Sequence, residues 1–269
     1  MELEPKDYAD LVKAVQDLEN PGLAASLSNY IGKPIELAMK SLPAKAEKTV
    51  KEATRKSMQA ALKLVAITLD ANHEGPPSNL LHKLMAGATG AGGGALGLVG
   101  LPIEMPISTG IILRSLADIA RSNGENIHDI DTQLACIEVF AFGSRTEADD
   151  GAESGYYFVR AMLAKAINEA AEYIASQGIA DQTAPAIVRL LTLIAARLQI
   201  QITAKVAAQL IPLVGAAGGC TINLLFINHF QEVGRGHFTV RRLERKYGAE
   251  VVRDEYRKIS HGQPWKHQR

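Results

Sequence analysis

The sequence predicts an all-α protein: a single helical domain built around two glycine-rich helical hairpins. Three observations carry that prediction. Small and apolar residues recur at steps of three and four over most of the chain, and no stretch sustains the alternation that a half-buried strand requires. Proline and glycine divide the chain at helical lengths. Two long stretches, Leu84–Leu113 and Val206–Asn228, are almost free of charge and crowded with glycine. Such a composition suits close packing of helix backbones, or contact with lipid, better than it suits a water-facing loop.

Taken in order, residues 1–75 form an N-terminal amphipathic helical segment that packs on the main domain. Within it, Lys45–Leu69 gathers Ala46, Val50, Ala53, Ser57, Ala60, Leu64 and Thr68 on one side. Lys48, Lys51, Arg55, Lys56 and Lys63 make the opposite side basic, and Gly75, Pro76 and Pro77 end the unit. The main domain spans residues 76–258. Its first glycine-rich stretch emerges as Ile111–Arg121 and closes at Asn123-Gly124. Asp131 is a suitable N-cap for a short apolar helix, Gln133–Phe142, stopped by Gly143. Ser144–Ser154 is polar and acidic and reads as an exposed loop. Gly155–Gln177 is a long helix with Tyr156, Val159, Met162, Leu163, Ala166, Ala170 and Tyr173 on its apolar side, terminated by Gly178. Pro185 opens a further helix that reaches Leu210 before Pro212 breaks it. A last helix covers Thr239–Lys258, and residues 259–269 are a polar tail.

A membrane-spanning helix needs about 20 apolar residues at about 1.5 Å rise each. Leu84–Ile103 has that length without a charge, but its glycines dilute the hydrophobicity. Val206–Asn228 contains Pro212, Asn223 and Asn228. Both stretches sit at the threshold for spanning rather than above it. Gly90/Gly94, Gly93/Gly97 and Gly215/Gly219 have the spacing that lets helix backbones approach closely. Glu104, set between Pro102 and Pro106, is the one ionised side chain in the first stretch. It is costly there unless paired, and Arg114 or Arg145 is the expected partner.

Charge balances at 29 basic and 29 acidic residues, so no global field argues for nucleic acid. Its distribution is uneven: a basic stretch at Lys40–Lys63, an acidic one at Asp118–Glu153, and a basic C-terminal part from Gly234. These regions either pair internally or meet anionic lipid headgroups. Cys136 and Cys220 lie in apolar surroundings and read as buried reduced thiols. Met1–Asp10 is acidic and polar, unlike a secretory signal.

No P-loop, HExxH, GxSxG or CxxC motif is present. Gly90–Ala95 fits a loose GxGxxA pattern, but helical sequence precedes it where a dinucleotide site needs a strand. The most chemically suggestive run is His229–Phe238. On one reading His229, Gln231 and His237 hydrogen-bond within a helix junction; on the other they supply a metal or acid–base site, if Gly234 and Gly236 fold the chain back. Downstream, Arg241, Arg242, Arg245 and Lys246 make a basic helix surface, either solvated with local Glu–Arg pairs or suited to phosphate headgroups.

Several of these runs occur together in one family. Leu101–Gly124, Glu138–Gly143, Tyr156–Arg160, Lys205–Gly219, His229-Phe-Gln and Gly236–Gly248 resemble the EcsC family, over about Leu80–Tyr256. Ala204 stands where related sequences often have an acid, which weakens a paired role for Lys205. The family takes its name from an operon that also encodes an ABC transporter. The resemblance therefore implies a bacterial protein in a membrane setting, and supplies no reaction and no catalytic residue. Polar motif positions embedded in apolar helices become the candidate lipid- or partner-binding residues, since an unpaired group there is costly. They are Glu104, Arg114, Asp118 and Asn223, together with His229, Gln231, His237, Arg241 and Arg242. The expectation is a non-enzymatic cytoplasmic protein, peripheral to the inner membrane, that uses no cofactor or metal. Its partner is an anionic membrane surface or a membrane protein such as a transporter. Two alternatives stand beside it: a hydrolase or metal-dependent enzyme acting on a lipid or peptide through His229, His237 and Glu104 in one pocket, and a soluble helical scaffold.

Overall fold

A computed structural model describes residues 3–19, 22–69, 97–144, 154–178, 183–211 and 215–262, with the helical backbone alone for Leu69, Gly97 and residues 215–220. The described residues form ten α-helices and no strand. They are α1 (Pro5–Glu19), α2 (Leu23–Ile31), α3 (Ile35–Lys40), α4 (Ala44–Leu69) and α5 (Gly97–Ser122). After these come α6 (Ile130–Glu138), α7 (Gly155–Gln177), α8 (Pro185–Gln209), α9 (Gly215–Tyr247) and α10 (Ala249–His261). A single 3-10 turn, Val139–Ala141, continues α6. The all-α class is therefore correct.

Helix α8 runs through the middle of the bundle. Its Ile187, Leu190, Ile194, Leu198, Ile202 and Val206 recur at steps of three and four and are buried, against α2, α3, α4, α7 and α9. It is also the one described helix long and apolar enough to cross a membrane. Three buried polar residues, Arg197, Gln201 and Lys205, lie four apart along it. That spacing puts them on one side of the helix, and each is bonded inside the protein. The Arg197 guanidinium donates to the Ser144 carbonyl at 3.0 Å, and the Gln201 amide to the Phe142 carbonyl at 2.6 Å. Both bonds tie down the backbone that leaves the 3-10 turn, where helical partners have run out.

Helices α4 and α5 lie side by side. His128 Nδ1, just past α5, sits 3.3 Å from the Thr68 carbonyl near the end of α4, so the two helices share one end and run parallel. The buried stripe of α4 is Ala46, Val50, Ala53, Ser57, Ala61 and Val65. Ala60, Leu64 and Thr68, expected on that stripe, are only partly buried. The contact line drifts one position because a straight helix has 3.6 residues per turn. On α5, Leu101, Met105, Ile112, Leu116 and Ala120 are buried.

The two glycine-rich hairpins are not observed. Residues 84–96 and 212–214 lie outside the described residues, as do Gly75, Pro76 and Pro77. What is described, Gly97–Ser122 and Gly215–Tyr247, consists of two uninterrupted helices. The helix junction expected around His229–His237 is absent too, as is the fold-back at Gly234 and Gly236 that a metal site would need. A Cβ on Gly234 would run into Leu116 Cδ2, and one on Gly236 would lie 2.7 Å from Leu18 Cγ and 3.0 Å from the Ala14 carbonyl. These glycines let α5 and α1 pack closely on α9, and they break nothing. The break falls instead at Gly248, whose φ of 90° separates α9 from α10, so the single helix expected over Thr239–Lys258 is two. Helix α6 begins one position after Asp129 rather than after Asp131. Of the expected exposed loop, Ser144 and Ser154 are buried and residues 145–153 lie outside the described residues.

Helix α1 is integral to the core. Leu11, Ala14, Val15 and Leu18 are buried, and α1 packs on α9 and α10. Its last residue, Glu19, is buried beneath the start of α7. There it accepts from the Ser154 hydroxyl at 2.6 Å, the Tyr156 amide at 3.4 Å and the Tyr256 hydroxyl at 3.0 Å. A carboxylate at this position matches the positive end of the α7 dipole and occupies its free amides.

Candidate functional site

The candidate residues separate into two buried polar centres and one surface ladder of ion pairs. The first centre joins α5, α8 and α9. Lys205, fully buried, donates from Nζ to Glu104 Oε1 on α5 and to Asn223 Oδ1 on α9. Its ammonium also lies 3.6 Å from Met105 Sδ and 4.8 Å from the centre of the Phe226 ring. Burial pulls the Lys205 pKa down, and the Glu104 carboxylate pushes it back up. The partner found for Glu104 is Lys205, not the exposed Arg114; Arg145, the other residue expected there, lies outside the described residues. The sequence signal for Lys205 was the polar spacing Arg197, Gln201, Lys205 on an otherwise apolar helix.

Around this centre the helix surfaces turn apolar. Val99 and Ile103 on α5 are 77% and 61% exposed, Leu224 on α9 is 55% exposed, and Leu210 just past α8 is 41% exposed. Ile103 and Leu224 are the immediate neighbours of Glu104 and Asn223, so the apolar side chains flank the buried pair.

The second centre lies about 21 Å further along α9, fourteen residues on at about 1.5 Å each. Here His237 Nδ1 is 3.0 Å from the Tyr156 hydroxyl, and all three rings of Tyr156, His237 and Phe142 are buried together. Among the described residues His237 Nε2 has no hydrogen-bond partner. Glu138 Oε2 is 3.8 Å from it, beyond hydrogen-bonding range. Burial, reinforced by the nearby Arg160 and Arg241 charges, holds His237 well below its usual pKa; burial raises Glu138 to about 7 against the opposing pull of the same two arginines. Burial also drives the Tyr156 phenol up. At neutral pH His237 is a neutral imidazole. Arg160 closes the centre on its outer side, with two bonds of 2.7 and 3.1 Å to Glu244 and a position 5.4 Å from the Tyr156 ring centre. Cys136 is buried, and burial pushes its thiol up to about 12, which makes it an inert core residue.

His229 joins neither centre. Its ring packs against Gly143, where a Cβ would lie 2.6 Å from Nε2, and burial lowers its pKa to about 4. Gln231 donates to the Ser115 hydroxyl at 2.9 Å, pinning α9 to α5. Asp118 pairs with Arg121 at 2.6 Å on the exposed side of α5. His229, His237 and Glu104 therefore share no pocket.

The basic run on α9 is occupied from within. Arg241 holds Glu125 at 2.9 and 3.2 Å, and Arg245 holds the same carboxylate. Arg242 bonds Asp7 at 3.1 Å and Asp10 at 2.7 Å, and Lys246 bonds Asp7 at 2.7 Å. The hydrogen bond from Lys246, ahead of that from Tyr247, holds the Asp7 carboxyl below its usual range. Of the two readings of this charge pattern, internal pairing describes the geometry.

The fold joins these features to a family. The EcsC protein family model matches residues 2–243 of the 269. The chain belongs to the EcsC protein family. The match begins far upstream of Leu80, which agrees with α1 being part of the EcsC core rather than an appendage. No curated protein and no solved structure matches this EcsC chain.

Proposed function

We propose that this EcsC family protein is a non-enzymatic, membrane-associated protein that docks the Glu104–Lys205–Asn223 end of its bundle on an anionic lipid surface. The observation that supports it is the neutralised pair at the apolar end. Glu104 is the single ionised residue of Leu84–Leu113, and Lys205 directly precedes the uncharged stretch from Val206. Each satisfies the other inside the protein, so Val99, Ile103, Leu210 and Leu224 can meet hydrocarbon without stripping water from an unpaired charge. Exposed lysines stand near the same end. Lys51 lines a groove with Thr203, two residues before Lys205, and Lys45 and Lys48 precede it on α4. Each adds about 1 kcal/mol of attraction at an anionic surface. On this reading the protein is cytoplasmic and peripheral to the inner membrane of a bacterium.

Vesicle flotation tests the reading. The protein should float with liposomes containing phosphatidylglycerol, and the Ile103→Asp/Leu224→Asp variant, folded by circular dichroism, should remain at the bottom. Parent protein that never floats, or a variant that floats equally, would sink it. Binding to native membrane vesicles but not to protein-free liposomes would instead indicate a membrane-protein partner.

A further inference from the structure

A cleft of about 530 Å³ opens where α7, the end of α9 and the start of α10 meet. Helix α7 contributes Tyr157, Phe158, Arg160, Ala161 and Ala164 to it. Helix α10 contributes Ala249, Arg253 and Arg257, and α9 contributes Glu244. Among the described residues, three guanidinium groups and one carboxylate line these walls. The two sides divide the chemistry. One is aromatic and apolar, with Phe158 36% exposed and two alanines that leave room beside it. The other presents Ala249, Arg253 and Arg257 at steps of four, hence on one face of α10.

Two features suit this cleft to an anion. Arg160 is held in place before any ligand arrives, by its fork onto Glu244 and by the rings of Tyr156 and Tyr157 at 5.4 and 5.6 Å. A pre-ordered guanidinium loses little freedom on binding. Arg253, by contrast, is exposed and has no carboxylate partner among the described residues, so its fork is open to a ligand. It sits in the first turns of α10, whose N-cap, Gly248, supplies no side-chain cap. The amides at that end and the helix dipole add to the attraction for negative charge.

We propose that this cleft binds a soluble organic phosphate: a phosphate group on Arg253 and the α10 N-terminus, and an apolar or aromatic body against Tyr157 and Phe158. Arginine forks match phosphate oxygens in pairs, and the Arg253 fork faces no carboxylate among the described residues. The volume is that of a small-molecule site. A lipid headgroup is disfavoured by position. Glu244 lies twenty residues beyond Leu224 on α9, about 30 Å along the axis, so a membrane meeting the apolar end is out of reach. The cleft itself is independent of the membrane-docking reading, and only the case against a lipid headgroup rests on it.

The test is titration calorimetry on the full chain with phenyl phosphate, orthophosphate and vesicles containing phosphatidic acid. Phenyl phosphate should bind saturably and more tightly than orthophosphate, because only it has a body to place against Phe158. Arg253→Ala should weaken it about tenfold or more, with Arg253→Lys between the two. Arg114→Ala, which removes an exposed arginine on α5, should leave binding unchanged. The proposal is overturned by no saturable binding of phenyl phosphate at millimolar concentration, or by equal binding in Arg253→Ala. An equal loss in Arg114→Ala overturns it as well, since the effect would then be general charge. Binding to the vesicles alone, lost in Arg253→Ala, overturns it in favour of a lipid headgroup.

Discussion

Lys205 on α8 and Glu104 on α5, 101 positions apart in sequence, neutralise each other inside the bundle, and Asn223 on α9 completes the lysine's shell. Three helices are thereby fixed in one register. An ammonium buried without a carboxylate would deprotonate or pull water into the core, so the pair makes its own geometry the cheapest arrangement.

Breaking that pair from one side should therefore cost more than removing it whole. Glu104→Gln strands a fully buried lysine, and Lys205→Met strands a carboxylate that keeps 17% of its side chain in water. We expect Glu104→Gln to lose about 3–5 kcal/mol of unfolding free energy and Lys205→Met less, with the double variant recovering most of the loss. Urea unfolding of the four proteins measures this. A strictly additive cycle would show that the two groups do not interact.

Which parts of this were readable beforehand follows from how far each signal reaches along the chain. Helix α7 was placed at Gly155–Gln177 because Ser154 and Gly178, its caps, are local chemistry. Pro185 marked the start of α8 for the same reason. The partner of Glu104 was not readable, since Arg114 is ten residues away and Lys205 is brought near only by packing. Whether Gly234 and Gly236 fold the chain back was not readable, because a glycine that breaks a helix and one that admits a neighbouring helix look alike in sequence. Only Leu116 and Leu18, on other helices, distinguish the two. Glu138, Tyr156 and Arg160 form a polar centre with His237 that no sequence spacing announced, because Glu138, the Tyr156/Arg160 pair and His237 come from three different helices.

The glycine pair on α9 should respond unequally to added methyl groups. Alanine gains about 1 kcal/mol of helix propensity over glycine at either site. At Gly234 the new Cβ meets the far end of a leucine, Leu116 Cδ2, which can rotate away. At Gly236 it meets Leu18 at its branch point and the Ala14 backbone carbonyl, neither of which can. Gly234→Ala should be within about 1 kcal/mol of the parent, and Gly236→Ala destabilised by about 1–3 kcal/mol. Thermal unfolding with equal losses at both sites would contradict this account of the α1–α9 contact.

The buried titratable groups should give stability two opposed pH slopes. Glu138 titrates near 7 when folded and near 4.5 when unfolded. As pH rises through that window the unfolded chain releases a proton that the folded chain keeps, so stability falls, by about 3 kcal/mol in full. His229, near 4 when folded against 6.5 unfolded, acts in the other direction, as does His237. As pH falls below 6.5 the unfolded chain takes up protons that the folded chain refuses, and stability again drops. Glu138→Gln removes only the first slope. Relative to the parent it should gain about 2–3 kcal/mol on going from pH 4 to pH 8. Urea unfolding across that range, with the two stability curves running parallel, would refute the burial-raised carboxyl.

The ion-pair ladder on α9 separates stability from membrane docking. Arg241 and Arg242 are spent on Glu125, Asp7 and Asp10, and these carboxylates come from the loop after α5 and from α1. Glu125 keeps only 7% of its side chain exposed, so losing Arg241 leaves it partly stranded even with Arg245 still attached. Arg241→Gln should therefore cost about 1–2 kcal/mol in chemical denaturation. Arg242→Gln should cost less than about 1 kcal/mol, since Asp10 is exposed and Lys246 still holds Asp7. Neither should change flotation with phosphatidylglycerol vesicles, because both lie about 25 Å or more along α9 from Leu224. If flotation falls in step with the loss of these arginines while Ile103→Asp/Leu224→Asp has no effect, headgroups are bound by the α9 ladder and the apolar end is not the docking surface.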